Sequence, residues 1–228
     1  MKNVAILMAA GKGTRMGSEV PKQFVAVNGK MLMEYSLQVF QDHPRINEIV
    51  VVLPPDYLEV QEMLEYLFNY YDKVTQVLAG GNERFESSWA AIQWFVEHRD
   101  DNLLLHDAAR PGITPRIIDD ILDALQHDQA AVTAMPATDT ILRVDENGNL
   151  TETLRRSELF YAQTPQAFRA GLLYDCFIDL IEKEDGFIPT DESGVVAHYR
   201  PEVPIKIVQG DSRNFKVTYA EDVKRLQQ

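Results

Sequence analysis

Short apolar runs and amphipathic stretches take turns along the first two-thirds of the chain. Residues 4–8 are continuously apolar and run into Ala9, Ala10 and Gly11. Residues 31–40 then place Leu32, Tyr35, Leu37 and Phe40 at helical spacing, and residues 49–53 form a second apolar run, stopped by Pro54 and Pro55. The rhythm continues with a helical stretch at 58–71, a strand at 73–78, and a helix face of Phe85, Trp89, Ile92 and Val96. A strand at 103–105, a helix marked by Ile118, Ile121, Leu122 and Leu125, and a strand at 130–135 follow. Strands that are apolar throughout are buried on both faces. The pattern therefore predicts an α/β, Rossmann-like fold, with a mainly parallel sheet and helices on both faces. Such sheets bind ligands beyond the C-terminal ends of their strands, which directs attention to residues 9–15, 80–84 and 106–111.

The pattern changes after residue 136. Apolar segments at 140–144 and 150–154 flank Asn147-Gly148, a pair suited to a type I′ turn because both central residues tolerate positive φ. A protruding β-hairpin arm is expected at about 139–156. A helix at 167–182, a strand at 205–208 and a closing helix at 219–226 complete the chain. With 228 residues and no linker, the chain is expected to form a single domain, 1–228, bearing that arm. An isolated hairpin is marginal in water. Ile141, Leu142, Val144, Leu150 and Leu154 therefore need a surface to pack on, either their own domain or a second copy across a two-fold axis.

Charge and cysteine usage narrow the function. The formal net charge is −13, with 35 acidic and 22 basic residues, which argues against nucleic acid as a partner. Between residues 10 and 24 the sign reverses, with Lys12, Arg15 and Lys22 against Glu19. The single cysteine, Cys176, rules out an intrachain disulfide and lies among residues at core-helix spacing. No apolar stretch approaches the ~20 residues of a membrane span, and the N-terminal run is too short for a signal peptide. A cytoplasmic protein is expected. The five histidines are scattered, so no zinc site is expected.

Four groups of residues carry chemistry. The first is Ala9-Ala10-Gly11-Lys12-Gly13-Thr14-Arg15-Met16-Gly17, followed by Pro21-Lys22-Gln23. Its glycines let backbone N–H groups approach phosphate oxygens. The spacing fits neither the dinucleotide fingerprint nor the Walker loop. Arg15 supplies a planar fork and Lys22 a mobile point charge. The second is Gly80-Gly81-Asn82-Glu83-Arg84 with Ser87: either a further phosphate approach with Ser87 on a base edge, or a helix entry capped by Asn82. The third, His106-Asp107-Ala108-Ala109-Arg110-Pro111, places a carboxylate at a strand end, where it holds a hydroxyl, approaches Mg²⁺ or braces Arg110. The fourth is scattered: Thr140, Arg155-Arg156, Thr164 within Gln163–Gln166, Thr190-Asp191-Glu192, and Lys216 within Phe215–Thr218.

Taken in order, these segments resemble the 2-C-methyl-D-erythritol 4-phosphate cytidylyltransferase family across nearly the whole chain. Ala-Ala-Gly-x-Gly-x-Arg-Met with Pro-Lys-Gln is shared with sugar nucleotidyltransferases at large. His-Asp-Ala-Ala-Arg-Pro, Thr-Pro-Gln, Thr-Asp-Glu and Lys-Val-Thr are more specific. The resemblance implies transfer of CMP from CTP to a sugar-alcohol phosphate, a Mg²⁺ requirement and a homodimer joined through the arm. It implies that Arg15 and Lys22 stabilise the transition state and that Arg156 and Lys216 position the acceptor phosphate. Ala9, Ala10, Gly11, Gly13, Gly80, Gly81 and Ser87 match nucleotide-binding positions, and Asp107, Arg110, Thr140 and Thr164 match substrate contacts. Arg155 stands where the family often carries an acidic residue, so either arginine of that pair is a candidate. Ribitol-5-phosphate cytidylyltransferases share the fold and first loop, but usually carry Val at the position of Ala109 and Ser-Asp-Ala at Thr190-Asp191-Glu192. A non-catalytic nucleotide-binding regulator is the alternative from another class.

Overall fold

The computed structural model describes residues 1–11, 13, 20–183 and 185–226. Its strands are β1 (Asn3–Met8), β2 (Ala26–Val27), β3 (Lys30–Met31), β4 (Glu48–Leu53), β5 (Val74–Ala79), β6 (Asn102–Asp107), β7 (Ala130–Pro136), β8 (Leu142–Val144), β9 (Leu150–Thr153), β10 (Phe160–Arg169) and β11 (Ile205–Gln209). The helices are α1 (Leu32–Asp42), α2 (Pro55–Leu58), α3 (Gln61–Tyr70), α4 (Arg84–Ile92), α5 (Pro115–Ala124), α6 (Ala170–Glu182), α7 (Glu192–Tyr199) and α8 (Ala220–Lys224). Among the described residues the main sheet runs β11-β7-β10-β6-β1-β4-β5. All its pairings are parallel except those of β10, which is antiparallel to both β6 and β7.

Burial explains the continuous apolar strands. Val4, Ala5, Ile6 and Leu7 of β1 are all fully buried, because successive side chains enter opposite faces. Ala5 and Leu7 join Leu37 and Phe40 of α1 and Ile118 and Ile121 of α5. Val4 and Ile6 join Ile92 of α4 and Leu173, Cys176 and Phe177 of α6. Burial pushes the Cys176 thiol up to about 11, as expected for a packing residue. The chain leaves β1 toward β4 and β5, then returns on the other side of β1 as β6. The resulting switch point lies where the loops after β1 and β6 diverge.

Three expectations need correction, and two elements are additional to those expected. Residues 167–169, expected as the start of a helix, are strand: Ala167 and Phe168 pair with both β6 and β7, and α6 begins only at Ala170. The slot between two parallel strands buries both faces of this segment, and that outweighs its local periodicity. The helical stretch at 58–71 divides into α2 and α3. Two elements went unread: α7, whose N-cap Asp191 accepts from the Gly194 N–H, and the small β2–β3 hairpin. The type I′ expectation at Asn147-Gly148 also fails, since only Gly148 there has positive φ (83°). The Asp145 carbonyl accepts from Gly148 N–H at 3.1 Å, and its carboxylate accepts from the N–H groups of Asn147 and Asn149. That is a type I turn closed by a glycine bulge. Positive φ at two successive residues occurs instead at Asn28 (49°) and Gly29 (83°), between β2 and β3.

The arm exists as β8 and β9, which among the described residues pair only with each other. Leu142, Val144 and Leu150 are each more than half exposed on it.

The segment after β11 crosses back over the sheet's C-terminal edge, and Gly112 permits the crossing. A Cβ at Gly112 would stand 1.8 Å from the Arg213 carbonyl oxygen, whereas one at Gly11 would meet nothing within 4 Å. Gly112→Ala should therefore cost about 1–3 kcal/mol through backbone displacement. The urea midpoint should fall in Gly112→Ala and stay near wild type in Gly11→Ala; equal midpoints would contradict the close packing.

Candidate active site

A cavity of about 430 Å³ opens at the switch point. Among the described residues its wall includes Ala10, Gly11 and Gly13 from the β1 loop, Lys22 and Gln23, Gly81 through Arg84 and Ser87 from the start of α4, Asp107 through Ala109, and Lys216 and Thr218. Three expected loops thus converge. Arg15 lies outside the described residues.

Backbone geometry shapes the wall. Gln23 is buried, and its amide donates to the carbonyls of Ala9 (2.6 Å) and Gly11 (2.9 Å), fixing the first loop from behind. A Cβ at Gly80 would stand 2.2 Å from the Ala10 Cβ, so the loops after β1 and β5 touch only because residue 80 is glycine. The Gly81 N–H donates to Ser87 Oγ at 3.1 Å. The N-cap of helix α4 is Glu83, not Asn82, and its N–H donates to the Glu86 carboxylate at 2.9 Å.

The charges gather on Asp107. Its Oδ1 accepts from Arg84 Nη2 at 3.2 Å; its Oδ2 lies 2.8 Å from Lys216 Nζ and 3.6 Å from Arg110 Nε. Burial alone would raise this carboxyl's pKa; Arg84, Lys216 and Arg110 overcome it and hold the group far below the usual carboxylate range. Burial likewise works against the Arg84 cation, yet Glu192 and Asp107 raise its pKa. Arg84 also pairs with the buried Glu192, which in turn accepts from Ser88 Oγ.

Behind the cavity lies a second chain of bonds. The Asp107 N–H donates to Thr164 Oγ1 at 3.1 Å, and that hydroxyl donates to His106 Nδ1 at 3.0 Å. His106 Nε2 must then be the donor to the Arg110 carbonyl at 3.1 Å. Arg110 donates to the carbonyls of Asn214 and Ala162. Lys216 is placed by its neighbours: Val217 N–H donates to the Ala109 carbonyl, and Lys22 Nζ donates to the Val217 carbonyl.

Not every expected residue reaches the cavity. Ala9 and Gly80 lie just behind its wall, and Thr164 and Arg110 brace the Asp107 loop. Thr140 and Arg156 are exposed at the two ends of the arm, outside the described wall of the cavity. Arg155 is tied to Glu158, whereas Arg156 donates to the Thr138 carbonyl. Three contributors were not singled out from sequence: Gln23 as the loop's staple, Arg84 as a partner of Asp107, and Asn214, buried with its amide on the Thr164 carbonyl. The Gly80-Gly81 pair three residues before Arg84 and Lys216 two residues past Asn214 are the signals the sequence offers.

The family model described as 2-C-methyl-D-erythritol 4-phosphate cytidylyltransferase matches residues 3–227. The enzyme of that name from Thermobifida fusca is 38% identical over 226 residues, 96% of this chain and 89% of that protein. A 4-diphosphocytidyl-2C-methyl-D-erythritol synthase structure from Anaerococcus prevotii superposes with a TM-score of 0.85 at 26% identity, covering 100% of this chain and 99% of that one. A bifunctional ribulose 5-phosphate reductase/CDP-ribitol pyrophosphorylase from Haemophilus influenzae is 33% identical over 97% of this chain but only 47% of its own length.

Burial holds His106 down to about 4 from its ordinary 6.5. The unfolded chain then binds more protons between those values. The stabilisation is complete above about pH 6.5 and is lost as pH falls to about 4, a loss of up to about 3 kcal/mol. His43, also lowered by burial, adds in the same direction. The urea midpoint should fall across this window, and less steeply in His106→Gln; an unchanged slope would refute the buried neutral imidazole.

Proposed function

The chain belongs to the 2-C-methyl-D-erythritol 4-phosphate cytidylyltransferase family, and on that premise we propose how its cavity carries out the transfer. It moves CMP from CTP to 2-C-methyl-D-erythritol 4-phosphate, releasing pyrophosphate and forming 4-diphosphocytidyl-2-C-methyl-D-erythritol. An acceptor phosphate oxygen attacks the α-phosphorus; the new P–O bond forms as the bond to pyrophosphate breaks and its electron pair leaves with that group. A phosphate monoester has a second pKa of about 6, so the nucleophile is already largely dianionic at neutral pH.

The observation that carries this reading is a cavity whose described wall has Lys22, Arg84 and Lys216 against Asp107 and Glu83, and in which neither Asp107 nor the His106 behind it is free to act as a base. Asp107 is held ionised by three cations and takes up a proton only with difficulty. His106 is buried with both ring nitrogens bonded. Catalysis is then positioning and electrostatic stabilisation. Ala10, Gly11, Gly13, Gly81 and Ser87 receive the nucleotide, with Ala9 and Gly80 setting the wall's shape. Arg15 and Lys22 stabilise charge at the reacting phosphorus, and Lys216 faces the acceptor phosphate. Magnesium fits as an ion carried on the triphosphate. No group of three His, Cys, Asp or Glu suited to a metal exists among the described residues, and ligation by Asp107 would displace Arg84 or Lys216. When bound, the ion neutralises triphosphate charge.

The chain acts as a single cytoplasmic domain whose arm completes a partner's site. No helix of the described residues is long and apolar enough to cross a membrane. Support for arm exchange comes from the exposed apolar arm and the half-exposed Phe160 and Tyr161 at its base. Thr140 and Arg156 would then approach the neighbour's acceptor. Ribitol 5-phosphate is the second reading, favoured by the Haemophilus influenzae match. Ala109 on the cavity wall and Glu192 behind Arg84 favour methylerythritol phosphate.

Wild type with Mg²⁺ and CTP should release pyrophosphate with methylerythritol 4-phosphate much faster than with ribitol 5-phosphate; the reverse preference would overturn the acceptor assignment. Lys22→Ala should lower kcat by about 10²–10³ with little change in CTP affinity, and near wild-type turnover would remove Lys22 from the chemistry. Heterodimers of Lys22→Ala and Arg156→Ala subunits, isolated by two tags, should regain activity that both parents lack. Silent heterodimers would place Arg156 in its own subunit's site.

A further inference from the structure

Glu192 is 1% exposed, at the first turn of α7, and has one carboxylate oxygen on Arg84 and Ser88. Its other oxygen, Oε2, is buried without a hydrogen-bond partner. A buried carboxylate left half-satisfied is costly where packing alone is at stake. Its partner Arg84 lines the cavity, yet both ends of the guanidinium are committed, Nη1 to Glu192 and Nη2 to Asp107. Asp107 in turn offers Oδ2 to Lys216. The four groups form one line, from α7 through α4 and the β6 loop to the segment after β11.

We propose that Glu192 and Arg84 are positioning residues for the acceptor phosphate, acting through Asp107 on Lys216. Lys216 has to turn from Asp107 to the incoming phosphate. Asp107 would then be a buried anion short of one cation, and Arg84 stays to compensate it. Glu192 keeps Arg84 there by preventing the guanidinium from following Lys216 toward the substrates' phosphates. Arg110 alone is a weaker counter-ion for the task, since its nearest approach to Asp107 is 3.6 Å and burial lowers its pKa despite Asp107. A single lysine in place of Arg84 lacks the fork that spans two carboxylates.

The inference rests on Lys216 facing the acceptor phosphate, and Lys216→Ala tests that premise separately. The experiment is steady-state kinetics with CTP and methylerythritol 4-phosphate varied independently, on Glu192→Gln, Arg84→Gln, the double variant and Lys216→Ala. Glu192→Gln should raise the acceptor KM about tenfold and leave the CTP KM within about twofold. The double variant should be no worse than Arg84→Gln, because residues acting as one unit are non-additive. An unchanged acceptor KM in Glu192→Gln, an equal rise in both KM values, or multiplied losses in the double variant would overturn the proposal. So would a lower CTP KM in Glu192→Gln, which would mean that freed Arg84 binds the nucleotide directly. If Lys216→Ala raises the acceptor KM while Glu192→Gln does not, only the positioning role fails. If Lys216→Ala leaves it unchanged, the assignment of Lys216 fails with it. Should Glu192→Gln not fold, Ser88→Ala removes one bond to the same carboxylate. It should raise the acceptor KM about two- to fivefold, and no change would overturn the proposal.

Discussion

A single buried carboxylate holds the candidate site together. Asp107 is almost enclosed, and an unpaired charge there would be prohibitive. It is tolerated because three cations share it, two of them from segments distant in sequence: Arg84 on α4, Lys216 beyond β11, and Arg110 three residues on in the same loop. Each cation is obliged to be where Asp107 is, so the ion cluster doubles as an assembly jig for elements that otherwise meet only at the sheet edge. A chain of strongly acidic net charge thereby keeps a locally cationic cavity.

Around that cluster the site relies on backbone more than on side chains. Gln23 ties down the first loop through two carbonyls, and the Gly80–Ala10 contact sets how near two loops approach. The Val217–Ala109 bond fixes the segment bearing Lys216. Such contacts fix the backbone of the cavity wall before any ligand arrives.

The sheet's core was legible in the sequence because strands buried on both faces have no freedom to be polar: residues 4–7 and 49–53 could hardly read otherwise. The three site loops were legible for a related reason, since parallel sheets deliver glycine and charge to one edge. β10 was not. Its identity depends on a slot between β6 and β7 that no local pattern reveals, and Gln166 to Phe168 are equally acceptable in a helix. The arm was placed correctly by its Asn-Gly signal. Its turn type was not, because the Asp145 carboxylate, bonding ahead along the chain, selects a different turn. Asp107 and Lys216 could each be named from motifs, but that they bond to one another, with Arg84 and Glu192 behind, is a fact of tertiary distance.

The reversed direction of β10 has a consequence for how such a protein can diversify. β7 ends at the edge where the parallel strands terminate, and β10 starts back from that same edge. Whatever length of chain is inserted between them is extruded on the side of the cavity, never on the opposite side. A lineage can lengthen, shorten or re-sequence this loop without disturbing a single ladder in the sheet. Such a change reaches the edge of the sheet that carries the cavity and spares the core beneath it.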